Sequence, residues 1–164
     1  MKLNHKRTVL VGLAFLSICA FWQMYDTVIP KILTETFHLD ETLSGAIMAA
    51  DNVLALFLLP FFGALSDRTN TKLGRRMPFI LCGTALAVVL MNLLPVFDNA
   101  YAESASATKM AMFVITLGLL LIAMGTYRSP AVALMPDVTP KPLRSRANAI
   151  INLMGAVGGI LYLI

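Results

Sequence analysis

The chain has 164 residues, 58% of them apolar and only 13% charged, with a formal net charge of +4. Soluble domains are about 45–50% apolar, so this composition excludes an ordinary soluble fold. The basic excess does not indicate nucleic acid as a partner, because the lysines and arginines are scattered over three loops without interleaved aromatics.

Five apolar segments follow in chain order, at about 8–33, 43–65, 77–97, 110–135 and 147–164. At about 1.5 Å per helical residue, each of the first four covers about 30 Å, the thickness of a bilayer's hydrocarbon core. Nothing alternates with period two over strand length, which excludes a barrel. Helices are then the way to satisfy every backbone group in lipid. The expected fold class is an all-α membrane protein.

The first segment follows Lys2, His5, Lys6 and Arg7, a basic start that also precedes secretory signal peptides. Leu16-Ser-Ile-Cys19 hints at a lipoprotein cleavage site, but Ile18 is too bulky beside that cysteine. Apolar residues resume past Asp26 at Val28, Ile29, Ile32 and Leu33, so a retained span is the better reading. Cys19 and Cys82 each lie inside an apolar run and read as small buried hydrophobes, implying neither a disulfide nor a metal site.

Between the second and third segments lies Gly63-Ala-Leu-Ser-Asp67-Arg68-Thr-Asn-Thr-Lys72-Leu-Gly74-Arg75-Arg76-Met-Pro78-Phe79-Ile80, 18 residues holding five of the chain's 22 charges. Gly63 allows close approach at the end of the second span. Ser66 and Asp67 can take up unpaired donors in the turn. Gly74 suits a left-handed position, and Pro78 fits the first turn of the third span. Asp98–Lys109 reads as the next loop. Gly45/Ala49, Ala46/Ala50 and Gly155/Gly159 are small-x-x-x-small pairs that let helices approach. The last residue, Ile164, falls eighteen residues into the fifth segment with no polar flank, so a longer parent polypeptide is expected.

Sidedness follows from lysine and arginine. Ten of them occupy the N-terminal tail, the loop after span two and the loop after span four, against only Lys31 and Lys109 on the other side. The N-terminus is therefore expected in the cytoplasm and Asp98–Lys109 outside.

Three charges fall inside spans, where insertion costs roughly 2.5–3.5 kcal/mol each and a cavity or partner is the usual compensation. Asp26 ends Trp22-Gln23-Met24-Tyr25-Asp26, Asp51 precedes Asn52, and Arg128 follows Tyr127. Measured from each span's centre, Asp26 lies roughly 8 Å and Asp51 roughly 4 Å outward, and Arg128 roughly 8–9 Å inward. Two carboxylates at similar depth in a low-dielectric cavity would titrate as a coupled pair, a candidate proton or cation site. Each has a plainer reading: Asp26 at the outer mouth, Asp51-Asn52 as a polar patch between helices, Arg128 snorkelling inward. Trp22, Gln23 and Tyr25 suit a sugar through ring stacking and amide hydrogen bonds, or else an interfacial aromatic belt.

The pattern G-x-x-x-D-R-…-G-R-R resembles the loop between the second and third helices of the major facilitator superfamily. Its longer form, G-x-x-S-D-R-x-x-x-x-x-G-R-R-x-P-F-I, resembles the sucrose–proton symporters and the related glycoside–pentoside–hexuronide cation symporters. Ser129-Pro130-Ala-Val-Ala133-Leu134-Met-Pro-Asp137 is similar to the P-x-x-A-L-x-x-D at the end of their fourth helix. The resemblance implies the N-terminal portion, about five transmembrane helices, of a twelve-helix fold. It also implies a cytoplasmic latch built from Gly63, Asp67, Arg68, Gly74, Arg75, Arg76 and Asp137. In it Asp67 would face the second half of the polypeptide, and Arg75 would pair with Asp137. The melibiose-type branch has acids on its second helix where this chain has Ala55 and Leu59, so a proton fits the coupling ion better than sodium. No other cofactor is implied.

The expected function is secondary transport of a sugar or glycoside with a proton, in the plasma membrane. A drug or organic-ion antiporter would share the loop but not the Pro-Phe-Ile and Ala-Leu-x-x-Asp extensions. A membrane enzyme finds no H-E-x-x-H, nucleophile elbow or paired histidines here. A receptor or sensor finds no signalling segment.

Overall fold

A computed structural model describes residues 5–164, so Lys2 of the basic start lies outside the described residues. Every long element is a helix: α1 (His5–Glu35), α2 (Glu41–Arg68), α3 (Met77–Glu103), α4 (Ala107–Val138) and, after a 3₁₀ turn at Lys141–Leu143, α5 (Arg144–Leu163). All five are long and apolar enough to cross a membrane. Their boundaries have local causes. His38, with φ of 51°, turns the chain out of α1, and the Leu39 N–H donates back to the Leu33 carbonyl at 3.0 Å. Glu41 opens α2 and Arg68 closes it, each matching the helix dipole. Pro78 occupies the first turn of α3, where its missing N–H costs nothing. Prolines inside α1 to α4 each remove a helical rung, which membrane helices tolerate.

Two expectations about the connecting segments need correction. The segment 98–109 is not a loop: α3 runs on through Asp98 to Glu103, and the connection to α4 is only Ser104–Ser106. The polar residues leave the hydrocarbon without leaving the helix. Lys109 caps that end, its Nζ donating to the carbonyls of Ala100 at 2.7 Å and Ser104 at 3.2 Å and to the Ser104 hydroxyl. Ser66 and Asp67 are likewise not turn residues but belong to the last turn of α2.

The chain divides into two compact units, the stretch up to Thr27 together with Pro130–Ile164, and Val28–Ser129. Helices α1 and α4 contribute to both. In the first unit α1 and α5 run parallel over a core of Val11, Met135, Ala147 and Ile151, with Phe15 and Leu134 packed against it. Gly12 faces the Met154 thioether, a Cβ on Gly155 would lie 2.9 Å from Cys19 Sγ, and Gly158 sits against the Leu16 backbone. The buried pair is thus Gly155/Gly158 rather than Gly155/Gly159. At Gly159 a Cβ would come no nearer than 3.9 Å, to Gln23 Oε1.

In the second unit α4 is central: half of its most apolar window is buried, against 6% for α2. Gly125 of α4 meets Leu58 and Phe62 of α2, and Gly63 of α2 meets Ser129 of α4, so these two helices run parallel. Gly83 of α3 meets Tyr127 and the Ala123 carbonyl, and at the opposite end of α3 Tyr101 joins Phe113 around Phe37. Helix α3 therefore runs antiparallel to α4. Ring centroids in that cluster are 4.4 Å (Phe37–Tyr101) and 4.7 Å (Phe37–Phe113) apart. Gly45 has nothing within 4 Å, and Ala46, Ala49 and Ala50 are exposed, so those small pairs seat no described helix. Leu56, Phe57, Phe61, Val89 and Ile115 are at least 57% exposed, an apolar surface suited to lipid.

Candidate functional site

The charged hairpin is held by its own residues. Gly63 lets the end of α2 approach Ser129, where a Cβ would lie 2.9 Å from Oγ. One turn on, the fully buried Ser66 hydroxyl donates to the Gly63 carbonyl at 2.8 Å and accepts from Arg76 Nη1 at 3.3 Å. Arg76 Nη2 pairs with Asp67 Oδ1 at 2.8 Å. Arg76 is 11% exposed and Asp67 58%, so the guanidinium sits in the fold while the carboxylate keeps its outer side in solvent. Gly74 takes φ of 102°, its N–H donating to the Thr71 carbonyl while the Thr71 hydroxyl donates to the Gly74 carbonyl. Arg68 and Arg75 are exposed.

Ordering of the hairpin should therefore depend on Arg76. Hydrogen bonds to charged groups contribute about 1.5–3 kcal/mol, so amide exchange over residues 66–76 should rise about tenfold or more in Arg76→Gln. Exchange in Arg75→Gln should stay near the parent's. Equal acceleration in both variants would remove the assigned pairing.

The polar residues of the spans divide between the units. In the first, Trp22 meets Tyr25 edge to face at 5.8 Å, and Tyr25 is fully buried. The Thr27 hydroxyl donates to the Gln23 carbonyl at 2.6 Å, and Asp26 is exposed. Asp137 is exposed near the end of α4 in the same unit. In the second, Asp51 is 8% and Tyr127 3% exposed, and Arg128 is half-buried. Asn52 donates from Nδ2 to the Met48 carbonyl at 3.1 Å. With Leu58 level with Gly125, Asp51 and Arg128 stand about 15 Å apart along the helix axes. Among the described residues no group of three or more His, Cys, Asp or Glu could hold a metal.

Sequence reading missed three participants: Ser129 as the neighbour of Gly63, Lys109 as a cap, and Arg76 as the partner of Asp67. Basic charge marked the hairpin, but adjacent arginines can be told apart only once the turn fixes their directions.

Long apolar helices with buried polar side chains in their spans define a multi-pass integral membrane protein. The chain belongs to the Major Facilitator Superfamily, whose family profile matches residues 11–164. It is similar to sucrose transport protein SUC3 of Arabidopsis thaliana, 31% identical over 139 residues, which is 77% of this chain and 23% of the relative. Sucrose transport protein SUT3 of Oryza sativa subsp. indica is 28% identical over 139 residues, 77% of this chain and 28% of the relative. The general alpha-glucoside permease of Schizosaccharomyces pombe is 29% identical over 126 residues, 72% and 22%. The chain thus spans about a quarter of the length of these relatives. No solved structure matches it significantly.

Proposed function

We propose that this chain is the N-terminal part of a sugar or glycoside transporter of the superfamily, coupled to protons and working by alternating access. The carrying observation is similarity to proteins named for sucrose and alpha-glucoside transport, over more than two thirds of this chain. The polar residues within the spans agree with it. Trp22, Gln23 and Tyr25 offer ring faces and an amide to a pyranose. Asp26, with Asp51-Asn52, offers carboxylates for a proton, and Tyr127-Arg128 offers a phenol and a fixed cation. In this reading Asp67 and Asp137 serve a cytoplasmic latch against the rest of the polypeptide, with Arg75 reaching Asp137. Charged hydrogen bonds there would set the balance of inward and outward states.

The direct test is counterflow of labelled sucrose and maltose in proteoliposomes carrying the whole transporter. Accelerated uptake against unlabelled internal sugar supports the reading. Exchange of organic cations with no sugar counterflow would replace it with the antiporter.

Sidedness has its own test. The basic loops belong in the cytoplasm and Ser104 outside, in a plasma membrane. A thiol placed at Ser104 should react with an impermeant maleimide added to intact cells, and one at Asn70 should react only after permeabilisation. The reverse pattern would invert the topology.

A further inference from the structure

A cavity of about 330 Å³ opens where α4 ends and α5 begins, lined by Met135, Pro136, Arg144, Ser145 and Asn148. All five belong to the first unit. None is among the polar residues assigned above to sugar, proton or latch. Its charged member is held in place: Arg144 Nε donates to the Thr139 carbonyl at 3.3 Å and Nη2 to the Pro136 carbonyl at 2.9 Å. Those bonds fix the guanidinium plane and engage two of its five N–H groups. A hydroxyl and an amide stand beside it, and Met135 and Pro136 supply an apolar wall. Exposed Lys141 and Arg146 add positive charge nearby, and Asp137 is not among the lining residues.

The lining is cationic and hydrogen-bonding on one side and apolar on the other, at the basic end of two membrane-crossing helices. One turn before it α4 exposes Val132, an apolar side chain against which an acyl chain can lie. A free anion would use the guanidinium but gain nothing from the apolar wall. We propose that this cavity binds the phosphodiester headgroup of an anionic phospholipid. Arg144 contacts a phosphate oxygen, Ser145 and Asn148 bond the remaining headgroup oxygens, and Met135 and Pro136 receive the start of the acyl region. Basic pockets between membrane helices bind headgroups in this way.

The test needs no transport and so stands apart from the proposed function. The chain, delipidated in detergent, is titrated with dioleoyl-phosphatidylglycerol or dioleoyl-phosphatidylcholine, and bound lipid is read by native mass spectrometry. A basic side chain near a headgroup contributes about 1 kcal/mol, so retention of phosphatidylglycerol should exceed that of phosphatidylcholine about fivefold. Arg144→Gln and Asn148→Leu should each remove most of that preference, and Arg146→Gln, outside the cavity, should leave it within about twofold. Asn148→Leu leaves the Arg144 bonds untouched, so its result holds even if Arg144→Gln loosens the end of α4. Equal retention of both lipids would overturn the proposal, as would equal damage from Arg146→Gln and Arg144→Gln, which marks diffuse attraction. Displacement of the lipid by millimolar inorganic phosphate would overturn it in favour of a soluble-anion site.

Discussion

In the whole transporter, Asp26→Asn should abolish sugar accumulation driven by a proton gradient while leaving sugar exchange partly intact. Accumulation needs net proton movement and exchange does not, so the two readouts separate coupling from binding. Asp51→Asn should produce the same split if both carboxylates serve one proton site. Normal pH-dependent accumulation in both variants would move coupling to the remainder of the polypeptide. Arg128 tests the other charge. Inserting a charge in a span costs roughly 2.5–3.5 kcal/mol, and Arg128 is half-buried there. If its planar guanidinium bonds a sugar or carboxylate at two points, Arg128→Lys should be nearly as inactive as Arg128→Ala. Full activity with lysine would reduce its role to a positive charge.

Replacing Gly158 by valine should prevent α5 from docking on α1. A Cβ at Gly158 would overlap the Leu16 carbonyl, which is backbone and cannot swing aside as the Met154 side chain can at Gly12. Overpacking of this kind costs typically about 1–3 kcal/mol or more. A fall in thermal stability in detergent, with faster amide exchange in both α1 and α5, is the expected result. Gly159→Ala is the matched control: its nearest neighbour would be Gln23 Oε1 at 3.9 Å, so near-parent stability is expected. If Gly159→Ala proved the more damaging, the register between α1 and α5 would be wrong.

That contrast shows what a sequence can and cannot tell. The pair Gly155/Gly159 fits the small-residue spacing, yet the fold seats Gly155/Gly158. Spacing gives the face of one helix. Which residue meets the neighbour depends on the crossing of two helices, and nothing in α5 alone encodes it. The five spans were legible because lipid demands about 20 apolar residues in each. Gly74 and Pro78 were legible because each has a single backbone reason to be there. The extension of α3 to Glu103 was not, because hydropathy reports where lipid ends rather than where hydrogen bonding ends. The candidate site was legible as a set of costly charges. The axial offset between Asp51 and Arg128, roughly 12–13 Å from the span centres, comes to about 15 Å in the α2–α4 register.

The hairpin that joins α2 to α3 is closed by bonds within its own sequence: Ser66 to Gly63, Arg76 to Ser66 and Asp67, and Thr71 with Gly74. None of them awaits α4. During synthesis the two helices can therefore leave the translocon as a closed pair, with their charged turn already neutralised in part. Gly83 and Gly63 then wait as empty seats for Tyr127 and Ser129. The last-made helix of that unit enters a prepared groove, and an error in the turn becomes an error of biogenesis before it is one of transport.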